Sequence, residues 1–62
     1  MNENIKPGLK VHDIFNRRWL TITKVNEDGT IELKGYYSWA RMQEKDFINM
    51  VKSSPLNKEI KL

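Results

Sequence analysis

Two alternating runs, Arg18–Val25 (RWLTITKV) and Thr30–Lys34 (TIELK), are separated by Asn-Glu-Asp-Gly at 26–29. Alternation of period two is the mark of a half-buried strand. Asp-Gly between two such runs marks a tight reversal, because glycine reaches the positive φ a hairpin turn needs. The stretch is therefore predicted as a β-hairpin. Leu20 and Ile22 on one arm and Ile31 and Leu33 on the other share a face and make the expected core. Trp19, Thr21, Thr23 and Val25 look the other way.

The rest of the chain extends this hairpin. Met1 to Lys6 is polar and expected to fray. Pro7-Gly8 signals a turn. A strand is predicted over Leu9 to Phe15, with Leu9, Val11, Asp13 and Phe15 on one side and Lys10, His12 and Ile14 on the other. Asn16-Arg17 reads as a tight turn. Gly35 permits a bend or bulge. A fourth strand is predicted over Tyr36 to Met42, with Tyr37, Trp39 and Arg41 on one side. The period then changes. Phe47, Met50 and Val51 stand at i, i+3 and i+4, so a helix is expected from about Lys45 to Ser53, capped by Asp46 and closed by Pro55. For the tail, Leu56 to Leu62, three forms stay open: a short fifth strand, a partner-dependent segment, or disorder.

With 62 residues the chain has room for one small domain, with an ordered core expected over about 6–53 and an open status for 54–62. Without cysteine it has neither disulfide nor thiolate metal site, so stability must come from apolar packing or from association. A monomer or a weak homodimer fits that constraint. No apolar run is long enough to span a bilayer, and MNENIKPG holds no apolar core of signal-peptide type. A soluble, cytoplasmic protein with no membrane partner is the expectation.

The expected architecture is mainly β with a C-terminal helix: a small antiparallel barrel or curled sheet of four to five strands. It resembles the SH3-like and chromo-like small barrels. KPGLKV before the first strand and then VNEDGTIEL are similar to the KOW-type pattern of glycine, strand, strand, Asp-Gly turn, strand. LKGYYSW followed by EKDF resembles the chromo-type end, where a tryptophan precedes an acidic residue and the closing helix. The small archaeal chromatin proteins share that plan, which implies nucleic acid as one class of partner. The chromo resemblance also implies an aromatic near the first strand, which Phe15 or Trp19 would supply.

Few residues suggest catalysis. His12 is the single histidine, the residue type most often used as a general base, and Asp13 beside it points to the opposite strand face. Ser38, Ser53 and Ser54 sit in no nucleophile motif. Asp28 is explained by its turn and Asp46 by a helix cap. No phosphate-binding, dinucleotide or calcium motif is present. The reading is non-enzymatic, with no cofactor and no metal. The aromatic and arginine residues carry the remaining signal. NRRW and SWAR hold all three arginines, each within two residues of a tryptophan. The candidate binding residues are Arg17, Arg18, Trp19, Tyr37, Trp39 and Arg41. Rings stack on bases and guanidinium groups pair with phosphates. The same residue types dominate protein interfaces. Two functions therefore stand side by side: an accessory or regulatory nucleic-acid binder, or an inhibitor or adaptor of a larger enzyme. A third reading keeps the rings as packing inside or at the ends of the barrel, because a slip of one residue across Gly35 exchanges the faces of Tyr37 and Trp39.

Overall fold

The computed structural model describes residues 3–62; Met1 and Asn2, part of the segment expected to fray, lie outside the described residues. Four strands, β1 (Lys10–Asp13), β2 (Arg18–Val25), β3 (Thr30–Lys34) and β4 (Trp39–Gln43), are followed by helix α1 (Glu44–Ser53) and a 3-10 turn, η1 (Pro55–Asn57). The strands form one antiparallel sheet in the order β1-β2-β3-β4. Among the described residues β1 and β4 are its two edges, so the sheet is open.

The hairpin forms as its residues dictate. The Asn26 N–H donates to the Thr30 carbonyl at 2.9 Å, and the Gly29 N–H to the Asn26 carbonyl at 3.1 Å. Gly29 takes φ +90°, a region that a side chain makes costly. The Asp28 carboxylate accepts from the Thr30 N–H and hydroxyl. Pairing is regular from Thr21↔Lys34 to Ile22↔Leu33, then slips at Thr23, so that Lys24 faces Glu32 and Val25 faces Ile31. This β-bulge corrects one expectation. An extra residue in one strand reverses the faces beyond it, so Val25 turns to the inner side and packs on the core, while Lys24 takes the outer position.

The inner face is the dry one. Leu20, Ile22, Ile31 and Leu33 are almost wholly buried with Val11, and α1 lays Phe47, Met50 and Val51 over them. The helix starts directly after β4. Its first N–H, on Glu44, donates to the Gly29 carbonyl at 3.1 Å. Asp46 is not the cap: Gln43 holds that position without a side-chain bond, and Asp46 lies in the first turn with Glu44, where carboxylates favour the helix dipole. Ile5, expected in a frayed leader, is buried in the same cluster.

Asp13 organises the β1–β2 turn. Its buried carboxylate accepts from the Phe15 and Asn16 N–H groups, the Asn16 side-chain amide at 2.9 Å and Arg18 Nε at 3.0 Å. The first strand therefore stops at Asp13 rather than Phe15, and Phe15 is exposed in the turn. Burial works against the Asp13 charge, but the four donors outweigh it and hold its pKa below the ordinary carboxylate value.

The tail forms no fifth strand among the described residues. After Ser54 it closes into η1, and Ile60 and Leu62 pack beside the core. Buried Asn57 treats β1 as a neighbouring strand would: its Oδ1 accepts from the His12 N–H and its Nδ2 donates to the His12 carbonyl, both at 2.8 Å. The same amide reaches the Val51 carbonyl at the end of α1. One side chain thus ties sheet edge, helix and tail together. Among the described residues, every buried side-chain nitrogen and oxygen has a partner, and no helix is long and apolar enough to cross a membrane.

Candidate functional site

Alternation fixes what the outer face carries. One row crosses all four strands, Lys10↔Thr21↔Lys34↔Trp39; beside it run His12↔Trp19 and Lys24↔Glu32↔Arg41. Among the described residues no element packs over these rows, since α1 and η1 contact the other side and the β1 edge. Trp39 is 72% exposed and Trp19 45%. Trp19 is held in place: the His12 ring meets it edge-on with centroids 5.0 Å apart, and Lys10 Nζ lies 5.4 Å from the indole centroid. A cation over an indole face is attracted by the ring quadrupole.

At one end of this face the chain bends before β4 begins. The Gly35 N–H donates to the Ser38 carbonyl at 2.6 Å. A Cβ on residue 35 would lie 3.1 Å from both the Trp19 carbonyl and a Leu20 methyl, so any side chain here would crowd β2 and glycine fits the close approach. The bend explains why the fourth strand starts at Trp39 and not at Tyr36. It lifts Tyr36 and Tyr37 off the sheet, 87% and 91% exposed, with ring centroids 4.3 Å apart.

Two shallow depressions lie side by side between this bend and the sheet. Lys34 and Tyr36 line both. Trp39, Tyr37 and Glu32 also line the first, of ≈ 480 Å³; Trp19 and Lys10 also line the second, of ≈ 390 Å³.

The six residues chosen from sequence divide. Trp19, Trp39 and Arg41 share the outer face, with Trp19 and Trp39 at different depressions and Arg41 at neither, and Tyr37 stands at its rim. Arg18 does not join them. It pairs with Asp13 across β1 and β2, shares the side of Leu20, and spends its guanidinium on the buried carboxylate. Arg17 sits in the β1–β2 turn at φ +53° and lines neither depression. Phe15 borders a separate hollow with Arg18 and Met50 on the helix side. Arg41 lies 3.7 Å from Asp28, with both side chains more than half exposed; such a pair is weak. Hydrogen bonds from Thr30, aided by Arg41, hold the Asp28 carboxyl below its usual pKa.

Lys10, Lys34 and Tyr36 were missed as site residues. The two lysines were legible, because the alternation that turns Trp19 and Trp39 outward turns Lys10 and Lys34 outward as well. Tyr36 was not, because only the bend brings it over the sheet.

The charge distribution is uneven. The outer face carries Lys10, Lys24, Lys34 and Arg41 against Glu32, with Asp28 of the hairpin turn beside Arg41 at its edge. The chain has 11 basic and 8 acidic residues, so seven basic and six acidic residues remain elsewhere. Most of the net charge of +3 is therefore on the face that holds both tryptophans.

His12 Nδ1 and Ser54 Oγ are 2.8 Å apart, a spacing also found in nucleophile–base pairs. Ser54 is buried, however, and its Oγ accepts from the Leu56 N–H to cap η1. The pair fastens the tail to β1. Among the described residues no cluster of His, Asp and Glu is arranged to hold a metal ion. Compared with known proteins, the chain has no matching family model, no matching curated protein and no matching solved structure.

Proposed function

We propose that this chain is a small non-enzymatic binding module that engages nucleic acid through the outer face of its sheet, as an accessory or regulatory factor in the cytoplasm. One observation carries the reading: the face opposite the core holds both tryptophans and most of the net positive charge. Indoles stack on bases, and ammonium and guanidinium groups pair with phosphates. The residues of this face are not needed for the core. The sheet-then-helix order supports taking the fold as a curled, chromo-like variant of the SH3-like plan, although fold by itself carries no function.

Binding of a fluorescent oligonucleotide, followed by anisotropy while salt rises from about 50 to 200 mM, tests this. Contacts from Lys10, Lys34 and Arg41 should give a slope of roughly −2 to −3 in log K against log salt, at about −0.7 to −0.9 per phosphate. Absence of binding at low salt, or binding indifferent to salt, contradicts the proposal. Indifference to salt in a protein complex would favour the second reading, an interaction module for a larger enzyme. The clustering of tryptophan, tyrosine and arginine typical of interface hot spots supports that alternative.

A further inference from the structure

Resting on the nucleic-acid reading above, we infer that the outer face selects single strands over duplex, taking two adjacent unpaired bases in its two depressions with the linking phosphate at Lys34.

The composition of the depressions leads there. Each is lined by one tryptophan, Trp39 or Trp19, and both are lined by Tyr36. Each therefore offers a large ring plus a shared second ring, the walls a flat heterocycle needs. Lys34 lines both and sits between Thr21 and Trp39 in the row across the sheet. Its ammonium is placed where the backbone between two neighbouring bases must pass. Lys10 beside Trp19 extends the positive line to one side; on the other, Arg41 of β4 stands next to Glu32 of β3 and 3.7 Å from Asp28. The two indoles belong to strands two apart and are offset by two residues, which puts their Cα atoms about 12 Å from each other. A single strand can follow that diagonal with its bases turned down.

A duplex does not meet this geometry. Its base faces are covered by their neighbours in the stack, and only edges and phosphates are presented. Reading those edges takes an element that enters a groove. Here the cations lie in a row on an open sheet, and the exposed rings around them can stack only on bases already unpaired. Stacking is tolerant of sequence because every base has a π-face. Little preference among base sequences is expected.

The test uses the whole 62-residue chain. Labelled oligothymidylate of about ten nucleotides, within the roughly 4–16 that one small module covers, is compared with a blunt duplex of similar length at the same low salt. The single strand should bind at least about tenfold more tightly and should quench the intrinsic tryptophan emission. Tyr36→Ala should weaken single-strand binding roughly 5- to 150-fold and leave duplex binding and the melting temperature nearly unchanged; Tyr36→Phe should retain affinity. Equal binding of both forms overturns the selection of single strands, and single-strand binding without quenching overturns the seating of bases at the indoles; either result leaves the nucleic-acid reading intact. Failure of both forms to bind removes both. Because the wild-type comparison alone decides the question, the outcome does not depend on the folding of any variant.

Discussion

The inner and outer faces of the sheet are made by the same four strands and differ by one step of register, yet they solve opposite problems. On the inner face the central side chains, Val11, Leu20, Ile22, Ile31 and Leu33, are dry and aliphatic, closed by Phe47, Met50 and Val51 from α1. The charged pair at its edge, Asp13 with Arg18, is internally satisfied: the Asp13 carboxylate accepts from four donors, Arg18 Nε among them. On the outer face large rings stand in water and cations outnumber carboxylates. A domain of this size buries only about 60% of its unfolded surface, so leaving two tryptophans and two tyrosines outside forgoes much of its available apolar burial. The difference teaches that the buried core is closed without these rings. One helix and nine buried apolar side chains stabilise the fold without them.

Substitutions on the inner face should have the largest effect. Leu20→Ala removes a wholly buried side chain between Val11 and the helix and is expected to cost about 2–5 kcal/mol, enough to unfold a marginal domain. Circular dichroism during thermal melting checks this, and a variant melting like the wild type would break the assignment of the faces.

A smaller effect is expected where the tail seals β1. Asn57→Ala leaves the N–H and carbonyl of His12 without their partner and should cost about 1–3 kcal/mol. Faster hydrogen exchange at the His12 amide would show that the loss is local. Unchanged exchange would mean that the tail does not guard this edge.

The smallest effect is one of pH. The Asp13 pKa is held down in the folded state, so its stabilising contribution is complete above its unfolded value, near 3.8. It is lost as pH falls through that value towards the lower folded one. Melting temperature should therefore decline towards pH of about 3. Asp13→Asn, though less stable near neutrality, should show a shallower decline. A decline equal to that of the wild type would detach Asp13 from the effect.

Much of the inner face was legible from the chain. Asn-Glu-Asp-Gly and its flanking alternation located β2, β3 and four core residues, because turn chemistry and period pointed the same way. The i, i+3, i+4 spacing of Phe47, Met50 and Val51 located α1. What stayed hidden had no local signature. The bulge at Thr23 turns Val25 inward through a shift in strand pairing. The bend at 35–38 continues the alternation of the aromatics while taking Tyr36 and Tyr37 out of the sheet. Asn57 acts across 45 positions of sequence. At the site, proximity to tryptophan along the chain was the wrong guide for Arg18, which alternation alone puts beside Leu20. The same alternation placed Lys10 and Lys34 correctly.

The central claim is that both indoles belong to the wet face. Steady-state tryptophan emission of the free protein, titrated with acrylamide, tests it most directly. Red-shifted emission with both indoles open to collisional quenching, Trp39 more than Trp19, is the expected result. Blue-shifted emission protected from the quencher would put the rings inside the molecule and contradict the division of the two faces.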